Sequence, residues 1–259
     1  MNAAGKDTAQ LRRNVWLLRV AIVGAILGGW ESLAASGLLF RDVVPSLVAI
    51  GKALGRLLAN PEFYGNLGAT AFEIGIAMVI GTFAGLTVGI LLGANRFLSR
   101  AFESLIFYLG PTPKIIFFPV MIMWFGVGAG SKIAMGVVSC FFPVAISAAA
   151  GMREIDRTLI RVGRSFRAST WDMVTKVYLP AMRAPILNGI RLGLGVAIIG
   201  TLLAETKLSN RGLGYLVMQA YATFDMPRMY ALLIVLFVLS IGVNALIGRL
   251  GRGRGAVAA

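Results

Sequence analysis

The sequence predicts an all-α integral membrane protein with about six transmembrane helices and a large cytoplasmic loop between the fourth and the fifth. Of the 259 residues, 58% are hydrophobic, and the mean hydropathy is +0.81. Several apolar runs reach about the 20 residues that a helix needs to cross a bilayer. Between two of these runs lies an arginine-rich stretch, residues 152–191, which we call the basic loop.

The predicted spans follow one another with short connections, at approximately 16–39, 69–94, 115–127, 133–150, 186–203 and 229–247. Between the first two, residues 41–67 place apolar side chains at helical spacing between Pro45 and Pro61. This pattern predicts an amphipathic helix on the membrane surface. The third run is short for a full crossing unless the residues before it also lie at membrane depth. Residues 204–228 are interpreted as a polar loop.

The second span carries glycines at four-residue intervals: Gly81, Gly85, Gly89 and Gly93. This spacing places four bare patches on one helix face, where another helix can pack closely. Close helix packing is the favoured interpretation, and a groove for solute is the alternative.

Pro111 and Pro113 break a helix just before the third apolar run. Irregular backbone at membrane depth is tolerated only where protein or a water-filled cavity surrounds it. Residues 110–119, with Phe117, are therefore candidates to line a translocation path. A plain interfacial helix break is an equally weighted alternative.

Four ionisable residues lie within or beside spans, and such residues are functional candidates by default. Glu31 lies well inside the first span and joins the candidate path residues, although the sequence names no partner for it. Glu73 and Glu205 lie near span ends, where headgroups or water would solvate them. Arg191 lies within the start of the fifth span.

Lysine and arginine predict the orientation in the membrane. With both termini on one side, that side holds 18 of the 25 Lys and Arg residues, including those of the basic loop. The positive-inside rule then places both termini and the basic loop in the cytoplasm. The formal charge of +14 is explained by this topology, and no nucleic-acid partner is expected because the basic residues are spread among apolar spans.

The residues needed for catalysis are missing from the chain. It has no histidine, and its single cysteine, Cys140, lies within an apolar run. These counts exclude a disulfide framework and Cys/His metal sites, and they exclude histidine-dependent catalysis. No phosphate-binding loop of the G-x-x-x-x-G-K-[ST] type is present. We expect no metal, no cofactor and no enzymatic activity, and any ATP-driven function would require another chain.

Within the basic loop, arginines at four- and three-residue spacing predict a charged helix face: Arg153, Arg157, Arg161, Arg164 and Arg167. Residues 168–172 then give a turn and a new helix start, with Ser169 or Thr170 as the N-cap. Leu179-Pro180 ends the unit. Two short helices joined by a turn can insert into a groove on a soluble partner, and contact with anionic lipid headgroups is the alternative.

The basic loop resembles that of the membrane-spanning permease subunits of ATP-binding-cassette importers. In that family the loop reads E-A-A, three residues, G, nine residues, I, one residue, L-P. Here the same spacing falls on Arg161-Val162-Gly163, Arg167, Val177 and Leu179-Pro180, so arginines replace the glutamate and the motif glycine. The resemblance implies that the loop couples the permease to an ATPase through Arg161, Val162, Gly163, Arg164, Arg167, Ala168, Ser169, Trp171, Leu179 and Pro180.

Further short segments extend the resemblance over nearly the whole chain, to the branch for nitrate, alkanesulfonate and taurine uptake. They are Trp30-Glu31, Val44-Pro45-Ser46, Pro111-Thr112-Pro113, Trp124-Phe125-Gly126-Val127-Gly128, Ser131-Lys132, Phe142-Pro143 and Gly212-Leu213-Gly214-Tyr215. The resemblance implies a single polytopic domain over residues 1–259, with an importer core at about 66–250 and a coupling loop at 152–185.

The same resemblance implies the partners and the solute. The partners are a second copy of the chain, a cytoplasmic ATP-binding subunit and an extracytoplasmic solute-binding protein, all at the inner membrane with its lipids. The expected solute is a small anion such as a sulfonate, nitrate or taurine, and a thiamine-precursor pyrimidine is the alternative. A stand-alone secondary transporter would show internal repeats and buried coupling charges, and the sequence offers no convincing repeat and few such charges.

Overall fold

The computed structural model describes residues 3–37 and 43–252, and these residues form helices with no strand among them. The α-helices are, in chain order, α1 Ala3–Ser36, α2 Leu47–Ala59, α3 Pro61–Ala94, α4 Arg96–Leu109, α5 Phe118–Phe125, α6 Ala129–Arg153, α7 Arg157–Ser165, α8 Thr170–Asp172, α9 Leu179–Ala181, α10 Arg183–Lys207, α11 Leu213–Ala222 and α12 Met226–Arg252. A 3-10 turn, Lys114–Phe117, precedes α5, and a π-helical turn, Met173–Tyr178, joins α8 to α9.

Within the described residues, five helices are long and apolar enough to cross a membrane. They are α1, α3, α6, α10 and α12. The pair α4 and α5 makes a sixth span if it is counted as one crossing with a bend of 94°. This architecture confirms the predicted all-α membrane fold with about six spans.

Several predicted boundaries are wrong. If α4 and α5 are counted as one span, that span begins near Arg96 instead of residue 115, and the proline pair lies at its bend. The fourth predicted span, 133–150, lies within α6, which begins at Ala129 and runs through Pro143 as one helix. The region interpreted as a polar loop before the last span contains α11.

The predicted surface helix over residues 41–67 is two elements. Its centre is α2, for which the Ser46 side chain accepts a hydrogen bond from the Ala49 N–H at 3.2 Å, the geometry of an N-cap. Its last residues belong to α3, which begins at Pro61, where proline's missing N–H costs no helical hydrogen bond. Residue 41 and the predicted end of the first span at residue 39 lie outside the described residues.

The chain divides into two compact units, Met1–Pro61 with Val217–Ile234, and Glu62–Leu216 with Val235–Ala259. In the first, α2 buries one face through Ile50, Ala53 and Leu57, at the helical spacing expected of an amphipathic helix. In the same unit, the rings of Trp30 and Tyr230 meet edge to face, with centroids 5.2 Å apart.

In the second unit, α6 packs closely on α10 through small residues. A Cβ added at Gly200 would lie 2.4 Å from Ser139 Oγ, one at Gly193 would lie 3.0 Å from Cys140 Sγ, and one at Gly189 would lie 2.8 Å from Ser147 Cβ. Only glycine leaves room for this approach of the two helices. The α10 glycines were not predicted from the sequence, since their spacing of four and seven residues is less regular than the ladder on α3.

Candidate functional site

The basic loop folds as two helical pieces joined by a turn. The first piece is α7, whose N-cap is Asp156: its carboxylate accepts a hydrogen bond from the Thr158 N–H at 2.7 Å. The second piece runs over residues 170–181, and its N-cap is Ser169, which accepts from the Asp172 N–H at 3.1 Å. Of the two alternatives left open by the sequence, Ser169 is therefore the capping residue.

Local polar contacts lower the pKa of both exposed carboxyl groups in these pieces. The pKa of Asp156 falls mainly because its carboxylate accepts the Thr158 backbone N–H. The pKa of Asp172 falls because Lys176 donates a hydrogen bond to it, in an ion pair of 2.6 Å one helical turn away. Both groups are therefore carboxylates at neutral pH.

The predicted stripe of five arginines is wrong at its first and its last member. Arg153 is the last residue of α6, and the chain leaves the helix before α7 begins. Its guanidinium pairs with the Glu103 carboxylate of α4 at 2.6 Å. Only Arg157, Arg161 and Arg164 lie on α7.

Arg167 lies at the turn between the two pieces with a φ of +51°, in the left-handed region that L side chains rarely adopt. The turn is closed by a hydrogen bond of 3.1 Å from the Ala168 N–H to the Gly163 carbonyl, the six-to-one bond of a Schellman cap. This is the position where the resembling family has glycine. In this chain Arg167 adopts the left-handed backbone conformation that glycine favours.

The inner side of the basic loop is attached to the helices of its unit. Ile155 and Met182 are buried in one apolar cluster with Ala148 and Met152 of α6. Three further apolar residues of the loop and of α10, and two of α3, pack against this cluster: Ile160, Tyr178, Ile186, Leu86 and Ile90. The two helical pieces are therefore packed against α6 and α10.

The outer side of the loop exposes large apolar side chains. Phe166 is 83% exposed and Trp171 is 74% exposed, on either side of the Arg167 turn. Leu159 and Val162 of α7 are half-exposed, and Arg161 and Arg164 are exposed beside them. Aromatic and arginine side chains are enriched in protein interfaces. Phe166 was not among the predicted coupling residues, although a large aromatic residue in an otherwise basic segment was a usable signal.

The other predicted coupling residues lie on the same two pieces. Gly163 faces the second piece, where an added Cβ would lie 2.5 Å from Met173 Sδ. Ala168 and Leu179 are half-buried, and Pro180 is exposed. The structure thus brings the predicted set together on one loop.

The predicted helix break around Pro111 and Pro113 is the bend between α4 and α5, and both prolines are exposed there. The Lys114 ammonium donates hydrogen bonds to the Gly110 and Thr112 carbonyls, which the break leaves without helical partners. It also lies 5.1 Å from the centroid of the Phe142 ring. Phe117 is 42% exposed beside this bend.

The predicted glycine face of α3 lies against α6. A Cβ added at Gly81 would lie 2.7 Å from Cys140 Cβ, and one at Gly85 would lie 2.8 Å from the Phe141 carbonyl oxygen. At Gly89 it would lie 2.5 Å from the Ala145 carbonyl oxygen, and at Gly93 2.4 Å from Met152 Cβ. The four glycines therefore occupy a helix contact with no space left for a solute groove on that face.

Glu31 has the partner that the sequence did not name. Its Oε2 accepts a hydrogen bond from the Leu47 N–H at 2.9 Å, at the first turn of α2, where a carboxylate is favoured. Next to it, Trp30 Nε1 donates to the Pro45 carbonyl at 3.0 Å. The two segments Trp30-Glu31 and Val44-Pro45-Ser46 thus contact each other.

The prediction that solvent or headgroups solvate Glu73 and Glu205 is wrong. Glu73 on α3 is 4% exposed and Glu205 on α10 is 1% exposed, and their carboxyl groups lie close enough to interact electrostatically. Lys132 of α6, 2% exposed, lies close enough to interact electrostatically with both. Its ammonium donates to the Val127 and Gly128 carbonyls at 3.1 and 3.2 Å. These three residues form a buried charged cluster, which we call the buried triad.

Glu205 of the buried triad, together with Asn66 and Thr70 of α3, holds the start of α11. Asn66 Oδ1, Thr70 Oγ1 and Glu205 Oε2 accept the backbone N–H groups of Gly212, Leu213 and Gly214 at 2.8, 2.8 and 2.6 Å. These are donors that a helix N-terminus leaves without partners. Gly212 has a φ of +109°, and a Cβ there would lie 2.4 Å from the Glu205 carboxyl carbon. Only glycine fits at this position.

Comparison with known proteins identifies the family. The model of the family described as "Binding-protein-dependent transport system inner membrane component" matches residues 81–255. The chain belongs to this family. As a binding-protein-dependent permease it is a multi-pass inner-membrane transport subunit, and the family implies an ATPase and a solute-binding protein as partners. The resemblance drawn from the basic loop and the short segments is confirmed.

Two relatives are similar to this permease over most of their length. A protein named putative aliphatic sulfonates transport permease SsuC, from Bacillus subtilis, is 30% identical over 227 residues, which cover 88% of this chain and 82% of the relative. The taurine transport system permease TauC of Escherichia coli is 30% identical over 251 residues, covering 93% and 90%.

A solved structure of the MetNI methionine ABC transporter in an inward-facing conformation shares the fold. Its matching chain has a TM-score of 0.66 and 22% identity to the permease described here, with 76% of this chain and 95% of that chain covered. The match shows that this chain and that chain share a helical fold.

Proposed function

We propose that this permease conducts a small organic anion of the sulfonate class and couples to its ATPase through the basic loop. The single observation that carries the coupling role is the two-sided construction of that loop. Its inner side is buried in an apolar cluster with α6 and α10, and its outer side exposes Phe166, Trp171 and arginines. A rigid element fixed to the spans and open to a partner transmits motion between them.

The proposed orientation places both termini and the basic loop in the cytoplasm. The positive-inside count supports it, since 18 of 25 Lys and Arg residues then lie on the cytoplasmic side. ATP binds to the partner subunit in this proposal, and this chain holds neither cofactor nor metal and catalyses no reaction itself.

The proposed assembly contains two copies of this chain, with two ATPase subunits below them and a solute-binding protein outside. Large exposed apolar side chains on α4, including Phe97, Phe102 and Tyr108, support contact with further protein or with lipid. The proposed path runs beside the bend at Pro111, Pro113 and Phe117.

The sulfonate class is supported by the relatives, one named for aliphatic sulfonates and one for taurine. Nitrate is a smaller solute that is also negatively charged. A thiamine-precursor pyrimidine is the alternative to an anionic solute. A binding assay of the cognate binding protein with taurine, an alkanesulfonate, nitrate and a pyrimidine separates these solutes.

Reconstitution in proteoliposomes tests the function. The permease alone, the permease with its ATPase, and the full set with the binding protein are compared for uptake of radiolabelled solute at saturating ATP. We expect uptake only with the full set. Uptake by the permease alone, driven by an ion gradient, would show a secondary transporter and overturn the proposal.

A further inference from the structure

An apolar groove lies between α3, α10 and α12 of the second unit. Its volume is about 360 Å³, within the range of about 300–1,000 Å³ typical of ligand pockets. Its lining is apolar except for Thr70 and Ser240, and the Thr70 hydroxyl is already bonded to Glu205 and Leu213. All three helices are candidate membrane spans, so the groove lies at the depth of acyl chains.

Arg191 lies at one end of this groove. Arg191 lies on α10 one helical turn before Leu194, which lines the groove. Its guanidinium reaches α12 at Gly248, next to the lining residue Ile247. The contact is close, since a Cβ added at Gly248 would lie 2.8 Å from Arg191 Nη2. The groove therefore ends in a positive charge.

That charge has no counter-ion among the described residues. Arg191 Nε is buried and makes no hydrogen bond there, and the ion pairs of the described side chains involve other residues. The Arg191 side chain as a whole is half-buried, but a buried guanidinium N–H without a partner is costly, because the apolar surroundings do not solvate it. An anionic group bound at the guanidinium would remove this cost, and a planar guanidinium binds a phosphate through paired hydrogen bonds.

We propose that the groove and Arg191 together bind one anionic phospholipid, with an acyl chain along the groove and the phosphate at the guanidinium. Arg249, exposed and next to Gly248, adds a second positive charge near the headgroup. With the orientation proposed above, the phosphate lies in the cytoplasmic leaflet. The lipid site itself does not depend on that orientation.

A transmembrane helix of a second copy would cover the apolar surface without neutralising Arg191. Glu31 is bonded to Leu47 N and Glu103 is paired with Arg153. Glu73 and Glu205 are buried against each other. Glu62, at the start of α3, also has a partner. A lipid phosphate supplies the charge that these carboxylates do not.

Native mass spectrometry of the purified protein with added lipid tests the site. Phosphatidylglycerol and phosphatidylcholine of the same acyl chains are the probes, and Arg191→Gln is compared with Arg183→Gln, a matched change at the exposed start of α10. We expect the wild type and Arg183→Gln to retain phosphatidylglycerol in preference to phosphatidylcholine. Arg191→Gln should lose that preference by about fivefold, which corresponds to about 1 kcal/mol for one arginine at a membrane surface.

A second pair of variants tests the acyl-chain part. Gly75 lines the groove and Gly68 does not, and an added Cβ meets nothing within 4 Å at either position. Gly75→Phe should fill the groove and lower lipid retention, whereas Gly68→Phe should not. Thermal unfolding of each variant in detergent verifies that it is folded.

Three results would overturn the proposal. They are equal retention of phosphatidylglycerol by the wild type and Arg191→Gln, equal retention of the two lipids by the wild type, and a disulfide cross-link that places a helix of a second copy in the groove. None of them bears on solute uptake in proteoliposomes, so failure of the lipid site and failure of the transport proposal are distinguishable.

Discussion

Thr70 on α3 donates a hydrogen bond of 2.6 Å to the Glu205 carboxylate on α10, across 135 positions of sequence. The same hydroxyl accepts the Leu213 N–H, and the other Glu205 oxygen accepts the Gly214 N–H. One buried carboxylate and one hydroxyl thus join two spans to the start of α11. Since this network is buried, its loss should affect the whole second unit.

Glu205→Ala should destabilise the protein by about 1.5–3 kcal/mol, the range for hydrogen bonds to a charged group. The change leaves the Gly214 N–H and the Thr70 hydroxyl without their acceptor and leaves Lys132 with one fewer negative neighbour. Thermal unfolding in detergent, followed by circular dichroism, measures the shift. Glu154→Gln, at an exposed carboxylate, is the control and should unfold like the wild type. An unchanged midpoint for Glu205→Ala would contradict the structural role of the network.

Gly89→Ala should be destabilising by about 1–3 kcal/mol, the usual cost of overpacking. The new methyl group would lie 2.5 Å from the Ala145 carbonyl oxygen, a backbone atom that cannot move aside cheaply. Gly68→Ala on the same helix meets nothing within 4 Å and should be neutral or slightly stabilising, because alanine favours helix. Equal unfolding midpoints of the two variants would show that α3 and α6 are not in close contact.

The hydropathy pattern predicted the spans because the apolar runs themselves determine where a helix can lie in a bilayer. The glycine ladder likewise predicted a close helix contact, although it could not name α6 as the partner. An N-cap at Ser169 or Thr170 followed from local chemistry, and the structure selects Ser169. Arg153 was misplaced because spacing alone does not show that α6 ends at that residue.

Other features depend on contacts distant in sequence. The buried triad joins residues of three helices, and each of its members alone looks like a charge near a span end. The helix α11 was missed because polar residues flank it on both sides, so its ten residues did not stand out as an apolar run. The groove at Arg191 needs three helices to be in place before it exists.

Arg167→Gly should stabilise the protein by about 0.5–1 kcal/mol. The left-handed conformation costs an arginine roughly 1–2 kcal/mol and costs glycine little, and glycine's greater freedom in the unfolded chain offsets part of the gain. Arg164→Gly is the matched control within α7, where glycine should instead destabilise by about 1 kcal/mol. Thermal unfolding shows whether the midpoint of each variant rises or falls relative to the wild type. A lower midpoint for Arg167→Gly would show that the Arg167 side chain makes a contact on which the turn depends.

Acidification should weaken the start of α7. The pKa of Asp156 is lower in the folded state than in the unfolded state. The stabilisation from this cap is therefore fully present at pH values above the unfolded-state pKa. It is lost as the pH falls from the unfolded-state pKa to the folded-state pKa. Asp156→Asn keeps an N-cap of similar quality without a titrating group. Hydrogen exchange of the α7 amides, corrected for the intrinsic rate at each pH, should show protection falling in the wild type and holding in the variant. Parallel loss in both would contradict this role of the carboxylate.

The most direct test of the coupling role is site-specific photo-cross-linking in the assembled importer. A photoreactive amino acid is placed at Phe166 or at Trp171, both outward-facing on the basic loop, and at Tyr221 on α11 as an exposed aromatic control. We predict that the first two positions cross-link to the ATPase subunit and that Tyr221 does not. Cross-links from Phe166 and Trp171 to lipid alone, in a complex that still transports solute, would contradict the account.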